Sequence, residues 1–405
     1  MKILFVVPYV PSLVRVRPYN LIRHLSALGH DVTVVTIWTN EQERDDVEQL
    51  RQHCFRVQAA YLPRWQSLWN CVQALPTQTP MQAVYSWQPS LVQQFPEHKW
   101  NADIVHVEHL RGAHYGLALR APHTNGHRPL PVVWDSVDCI THLFRQAANR
   151  SSTRAGRWLT RFELKRTEKH EGWLVNQFNQ VLVTSPAERT AFLSLLPAGQ
   201  SAPTVQVLPN GVDLDYFTAG EAAARDPATI VVSGKMSYHA NATMVLHMVN
   251  DILPAIWARR PEVRLCVVGK DPPRQVRALA HDARISVIGT VRDIRPHLQR
   301  ATVAVAPLTY GAGIQNKVLE AMACATPVVA SPQAVSALAV RPGEDILVGR
   351  EPAEFATAVL GLLDNAEKQA RVGEAGRRFV EGHHRWNMIA SQLVGVYDEL
   401  LCTEH

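Results

Sequence analysis

The sequence predicts two consecutive α/β domains, each built on a doubly wound parallel sheet. Apolar runs of strand length recur along the 405 residues and are separated by helical stretches rather than hairpin turns. Strand, helix, strand at this spacing requires parallel pairing. The pattern pauses at residues 196–204, "LPAGQSAPT", and then restarts, so two halves of similar length follow one another without a sequence repeat. An apolar content of 46 % and a charged content of 19 % suit a chain that buries real cores.

The first domain, residues 1–203, opens with "KILFVV", a buried-strand run. "RPYNLIRHLSALGH" follows with Leu21, Ile22, Leu25 and Leu28 on one helical stripe and Gly29 as its C-cap. "DVTVVTIW" completes a βαβ unit. "ADIVHVEHL", "LPVVWDSVD" and "NQVLVTS" read as further strands, with a helix over residues 154–178. The second domain, residues 204–385, carries strand runs in "TIVVSGKM", "VRLCVVGK", "ISVIGT", "ATVAVAPL", "PVVAS" and "DILVG". The last stretch, "RWNMIASQLVGVYDELL", places Trp386, Ile389, Leu393, Val396 and Leu400 at helical spacing. It either finishes the second domain or crosses back to cover the first.

The net charge of +5 fits an anionic ligand or a membrane surface and does not demand nucleic acid. Basic residues are densest at 145–169, which reads as a solvated basic helix before it reads as a contact surface. Six cysteines lie far apart with no C-x-x-C pair, which argues against a zinc or redox site, and Cys266 and Cys324 fall inside apolar runs. The N-terminal apolar stretch is too short for a signal segment, and no run approaches the ~18 apolar residues of a spanning helix. The expected location is the cytoplasm, with a peripheral place at the inner face of the membrane as an option.

In open parallel sheets, ligands bind outside the carboxyl ends of the strands, and two such domains facing each other put the ligand in the cleft between them. The first strand is followed by the glycine-free "PYVPSLVRVRPYN", which argues against an N-terminal NAD or FAD site. Arg15 and Arg17 in that stretch are expected at the cleft edge, either clamping an anionic acceptor or simply solvated. After "ADIVHV", with His106 inside the strand, come Glu108 and His109. They are either acid/base or hydroxyl-orienting groups, or satisfied polar residues. Asp135 and Asp138 in "WDSVD" lack the D-x-D spacing and either bond a sugar or brace a loop. Asp213 and Asp215 do match D-x-D, but a single match in 405 residues is expected by chance, so no metal is expected.

Gly234 ends one strand and permits close backbone approach, Lys235 places a charge there, and Asn241 is expected to N-cap the next helix. In "GAGIQNKVLEAMACATPVVAS" a helix starting near Gln315 or Asn316 turns its free N–H groups toward Gly311 and Gly313, which makes an anion site. Val318, Leu319 and Met322 form the apolar stripe. Lys317 and Glu320, three apart, share the opposite face, with Lys317 nearer the phosphates and Glu320 placed for ribose hydroxyls. A capped surface helix with an ion pair is the plainer alternative. "YLPRWQSLWNCVQAL" carries Trp65, Leu68, Trp69 and Val72 on one stripe, facing either the core or, as an interfacial helix, a membrane.

"LPNGVDLDYF", "VVSGKM", "VVGK", "VIGTVRDIRPHLQRATVAVAPL" and "GIQNKVLEAMACATPVVAS" together resemble glycosyltransferase family 4, retaining enzymes of GT-B fold with two Rossmann-like domains. "DSVD", "SGKMSYHAN" and "GIQNKVLEAMA" resemble its exosortase- and exopolysaccharide-associated branch. The resemblance implies that the second domain binds a nucleotide-diphosphate sugar through Gly234, Lys235, Thr290, Val291, Arg292, Gly311, Ala312, Gly313, Ile314, Gln315, Lys317 and Glu320. Glu320 matches the family's ribose-binding glutamate, whereas Ala312 stands where relatives carry a carboxylate on the transferred sugar. Lys235 replaces a family arginine, and Ala240 replaces its partner lysine, a loss that Lys317 is expected to offset.

Glu108, His109, Lys235 and Lys317 are the expected catalytic groups, and Arg15, Arg17, Asp135 and Asp138 the acceptor-side groups. No residue is an evident nucleophile, so front-face attack by a carbohydrate or lipid-linked acceptor hydroxyl, without metal or cofactor, is expected. A nucleotide-sugar epimerase and a non-catalytic nucleotide-sugar-binding partner remain the alternatives.

Overall fold

The structure is a computed structural model in which residues 1–93, 101–120, 130–148, 154–197, 204–220, 225–311 and 313–403 are described. The chain divides into two compact units, Met1–Pro209 with Trp386–His405, and Asn210–Arg385.

The first unit holds a seven-stranded sheet with β1 (Lys2–Val7), β2 (Asp31–Trp38), β3 (Arg56–Tyr61), β4 (Ile104–Glu108), β5 (Val132–Val137), β6 (Gln180–Val183) and β7 (Val205–Val207). Their order is β3-β2-β1-β4-β5-β6-β7, and all pairings are parallel. The second unit holds a six-stranded parallel sheet. Its strands are β8 (Thr229–Ser233), β9 (Arg264–Val268), β10 (Ile285–Gly289), β11 (Val303–Ala306), β12 (Val328–Ala330) and β13 (Leu347–Val348), in the order β10-β9-β8-β11-β12-β13. The runs are Val- and Ile-rich without polar alternation because helices cover both faces of such a sheet. Sequence order reverses between β1 and β4 and again between β8 and β11. At these switch points the loops leave in opposite directions and open a crevice.

Each strand expected from the sequence is present, and β3 and β7 are added. β3 is an edge strand whose pattern is half exposed, and β7 is three residues long, so neither carries a strong apolar signal. Because β7 completes the first sheet, the boundary expected at 203/204 moves to 209/210. The part of the expected linker at residues 198–203 lies outside the described residues.

The helix Val16–Ala27 ends as expected. Gly29 has φ 85°, its N–H donates to the Ser26 carbonyl, and the His30 N–H reaches back to the Leu25 carbonyl, which closes the αL cap. The final helix, Trp386–Thr403, belongs to the first unit. Trp386, Ile389, Leu393 and Tyr397 share one apolar cluster with Ile3, Phe5 and Leu21. The Tyr397 hydroxyl is hydrogen-bonded at 2.8 Å to Nδ1 of the buried His106 in β4. The helix Arg64–Ala74 differs from the core-facing expectation: its Trp65, Leu68, Trp69 and Val72 stripe faces solvent.

Candidate functional site

Two clusters form at the two switch points. In the first unit, Tyr9 lies just past β1 and Glu108 is the last residue of β4. The Tyr9 hydroxyl donates to Oε1 of Glu108 at 2.8 Å. Glu108 is 1 % exposed. Its burial, reinforced by the charge of Asp135, raises its pKa to about 8, so it is a neutral acid at pH 7. His109 follows with φ 65°, an uncommon left-handed conformation for a side-chain-bearing residue, and it opens the helix His109–Arg120. The residue is half-buried. Burial, followed by the charges of Arg111 and Arg15, lowers its pKa to about 3, so the imidazole is neutral and its Nδ1 accepts from the Arg111 N–H at 3.3 Å. The Arg15 guanidinium stacks 4.0 Å from the Tyr9 ring centroid, and Tyr9 meets His109 edge-on at 6.2 Å.

Glu108 and His109 differ in depth. Glu108 is buried beneath Tyr9, whereas His109 is half-buried. A carboxyl whose folded pKa lies above its unfolded value costs stability as pH rises from about 4.5 through about 8, because only the folded state then holds the proton. Glu108→Gln keeps an acceptor for Tyr9 and cannot ionise. It should leave the melting temperature at pH 4 unchanged and gain progressively over the parent as pH rises, reaching about 3–5 kcal/mol at pH 9. Equal melting at pH 9 would show that Glu108 is not held neutral.

Arg17, expected in a loop at the cleft edge, lies in a helix, and Asp135, expected just past its strand, lies within β5. Arg17 lies in the first turn of the helix Val16–Ala27 and pairs with Asp135 at 2.7 Å, both buried, while its Nη1 donates to the Pro209 carbonyl at 3.2 Å. Burial alone raises the Asp135 pKa. Arg17 and His106, whose Nε2 is 3.5 Å away, outweigh that and hold it below its ordinary value. Asp138 braces a loop: Thr184 Oγ1 donates to it at 3.4 Å, and burial with the nearby Glu188 raises it to about 7. Between them Val137 has φ 67°, strained for a β-branched residue, where the register of β5 against β6 shifts.

In the second unit the loops after β10, β9, β8 and β11 lie side by side at the carboxyl ends of their strands. Gly234 (φ 139°) and Gly269 (φ 149°) touch backbone to backbone, so that a Cβ on Gly269 would lie 1.7 Å from the Gly234 carbonyl oxygen. Lys235 is exposed and pairs with no carboxylate among the described residues. Asn241 does not cap the next helix. Tyr238 is the N-cap of His239–His247, and Asn241, buried in its first turn, donates to the Lys235 carbonyl at 2.9 Å.

Across the switch point, Gly311 (φ 150°) and Gly313 (φ 70°) precede the helix Asn316–Ala323, whose N-cap Gln315 gives no side-chain cap. Its first N–H groups therefore point outward. Gln315 Nε2 donates to the Gly313 carbonyl at 3.3 Å and its Oε1 accepts from Lys317 Nζ at 2.8 Å, while Gln333 holds the Gly311 carbonyl. The Lys317 chain passes within 3.2 Å of where a Gly234 Cβ would stand, which joins the two loops. Burial lowers Lys317 to about 8 against the pull of Glu320, and burial raises Glu320 to about 7 against the pull of Lys317. The Glu320 carboxyl accepts no hydrogen bond among the described residues. Thr290 and Arg292 are exposed beside this group, Val291 packs on the core, and Ile314 is buried. Ala312 lies outside the described residues.

Residues 14–211 match the family described as "Glycosyl transferase 4-like domain", and residues 227–365 match "Glycosyl transferases group 1". The chain thus pairs a glycosyl transferase 4-like domain with a group 1 glycosyl transferase domain on a GT-B fold. It is 31 % identical over 215 residues to a D-inositol 3-phosphate glycosyltransferase of Geodermatophilus obscurus, covering 47 % of this chain and 46 % of that one. It is 31 % identical over 204 residues to a phosphatidyl-myo-inositol mannosyltransferase of Mycobacterium tuberculosis, covering 47 % and 53 %. The chain thus spans about half the length of the curated relatives it matches. Sucrose-phosphate synthase of Thermosynechococcus elongatus shares its fold with TM-score 0.71, 21 % identity and full coverage of both chains. Anabaena HepE, solved with UDP, does so with TM-score 0.70 and 16 % identity over 98 % of this chain and 100 % of that one.

The sequence of this GT-B chain does not single out Tyr9, Arg111, Gly269, His239 and Tyr310 as parts of the two clusters. Tyr310 precedes Gly311, and its hydroxyl meets His239 Nδ1 at 2.5 Å and Thr243 Oγ1 at 3.3 Å, with the His and Tyr rings stacked. Gly269 carried a usable signal, a glycine ending a strand in "VVGK", but its contact partner is 35 residues earlier, so only the fold shows what it does.

Proposed function

We propose that the chain transfers a sugar from a nucleotide-diphosphate sugar to the hydroxyl of a carbohydrate or lipid-linked acceptor, with retention at the anomeric carbon and without a metal, in polysaccharide or glycolipid synthesis. The observation that carries this reading is the grouping of the Gly234–Lys235 loop, the uncapped helix start at Asn316, Lys317 and the unbonded Glu320 at one switch point. Outward N–H groups with two lysines make a diphosphate site, and the carboxylate one turn further accepts from ribose hydroxyls. Support also comes from HepE, whose structure holds UDP, and from relatives named for inositol phosphate and phosphatidylinositol.

As the bond from the anomeric carbon to phosphate breaks, the leaving diphosphate gains negative charge, which the loop N–H groups, Lys235 and Lys317 stabilise. The acceptor oxygen bonds to that carbon on the same face and passes its proton to the leaving phosphate oxygen. Neutral His109 offers a hydrogen-bonding ring without adding charge. Asp213 of the D-x-D stretch is engaged in a turn, accepting from the N–H groups of Asp215 and Tyr216.

A thermal-shift screen against UDP-, GDP-, ADP- and dTDP-sugars should show one nucleotide class raising the melting point. Product anomers are then assigned by NMR, with and without EDTA. Inverted product, or loss of activity in EDTA, would refute the corresponding part. An isomeric nucleotide sugar formed without acceptor would identify an epimerase, and binding without turnover across a broad acceptor panel a non-catalytic partner.

A further inference from the structure

The helix Arg64–Ala74 is amphipathic in the wrong sense for a helix bathed in water. Its inner face is small and polar: Ser67, Asn70 and Ala74 are buried, and Asn70 Nδ2 donates to the Trp87 carbonyl at 2.8 Å. Its outer face is apolar, with Trp65 69 %, Leu68 63 %, Trp69 55 % and Val72 51 % exposed. Leaving two indoles and two aliphatic chains in water forfeits burial that the rest of this chain achieves, and a contiguous patch of this kind marks a contact surface.

The charge around the patch selects the occupant. The helix and its surroundings in the chain, residues 49–96, contain no Asp or Glu, and Arg64 opens the helix. The helix Arg154–Leu174 is tied to this region by Arg166, whose guanidinium donates to the carbonyls of Ala74, Thr77 and Thr79, and by Glu163, which accepts from the Met81 N–H. The opposite, exposed face of that helix carries an i,i+4 stripe of Arg161, Lys165 and Lys169 that pairs with no carboxylate among the described residues. An exposed aromatic-aliphatic face whose own segment carries no acidic residue, with a basic stripe on the helix tied to it, is the signature of binding at an anionic lipid interface. Indoles settle at headgroup depth, and Lys and Arg add attraction to the surface charge.

We infer that this face of the first unit docks on an anionic bilayer, with the helix Arg64–Ala74 lying in the headgroup plane. No helix among the described residues is long and apolar enough to cross a membrane, so the contact is peripheral. The inference rests on the proposed transfer to a lipid-linked acceptor only for its purpose; the docking itself is measured separately.

The test is co-sedimentation of the full chain with vesicles of about 30 mol % phosphatidylglycerol in phosphatidylcholine, against pure phosphatidylcholine, with brominated lipid as a tryptophan quencher. Binding and quenching are expected with the anionic vesicles and should weaken as salt rises. Trp65→Ser with Trp69→Ser should lower the partition coefficient at least about tenfold, as should Lys165→Glu with Lys169→Glu. Leu68→Gln with Val72→Gln, which favours the helix, should do the same if the Trp variant fails to fold. Absence of binding to anionic vesicles, or equal binding by all variants, would overturn the inference. So would a solution dimer that the Trp variant dissociates, since the face would then be a self-contact. Nucleotide-sugar affinity measured on the same preparations separates this result from the proposed activity. Vesicle binding without donor binding refutes the transfer, and donor binding without vesicle binding refutes the docking.

Discussion

Replacing Lys317 with alanine is expected to weaken nucleoside-diphosphate binding by about 10- to 100-fold while leaving the affinity for the free nucleoside unchanged. Among the described residues Lys317 Nζ is hydrogen-bonded only to the neutral Gln315 Oε1, and its chain lies against Gly234, so its charge sits between the two glycine loops where the proposed donor's diphosphate would lie. A charge-assisted bond to phosphate contributes about 1.5–3 kcal/mol, which sets the range. The amine also has a pH signature. Burial lowers its pKa to about 8, so above that pH the free protein loses the charge and diphosphate binding should weaken. Isothermal titration of the nucleoside diphosphate from pH 7 to 9 should show that decline in the parent and a flat profile in the variant. Undiminished affinity in Lys317→Ala would remove this residue from the phosphate site.

Gly269→Ala is expected to be the most damaging small substitution in the second unit. Its φ of 149° is one that side-chain-bearing residues rarely adopt, and the new methyl would stand 1.7 Å from the carbonyl oxygen of Gly234, a backbone atom with no rotamer to escape into. The strand ends of β8 and β9 would have to part, at a cost of about 3 kcal/mol or more, or roughly 6–12 °C in melting temperature. Any folded fraction should bind donor poorly because Gly234 has moved. Gly343→Ala is the control. Its φ is 89° with nothing within 4 Å of the Cβ, so it carries backbone strain alone and should cost about 1 kcal/mol. Equal melting curves for the two variants, followed by calorimetry, would show that the 1.7 Å contact does not constrain the loop.

Much of the second unit was legible from local pattern. The helix starting at Asn316, the glycines before it, and Lys317 and Glu320 sharing one face all follow from 3.6-residue spacing and strand-end glycines, and each is where the pattern places it. Asn241 was misjudged because Asn both caps helices and clasps loops. The choice depended on whether the chain turned at residue 238 or 241, which the packing of Met236 and Ala240 into the core settles. The first unit was less legible. Arg15, Arg17, Glu108, Asp135 and Asp138 look alike in sequence, as polar residues after strands. Their fates diverge with depth: Arg15 stacks on Tyr9, whereas Arg17 and Asp135, 118 residues apart, become a buried ion pair.

The sequence by itself determined the two parallel-sheet domains, the glycine loop at Gly311 that opens a helix and the lysine–glutamate face beside it. These depend on residues within a turn or two of one another, and covalent spacing carries that information. Tertiary structure alone decided that Gly234 meets Gly269, that Tyr397 of the last helix reaches His106 across 291 residues, and that Trp65 and Trp69 face outward. An apolar stripe states that a helix has a face but not which way it turns. Direction is set by what the opposite side finds to bond, and here Asn70 finds the Trp87 carbonyl.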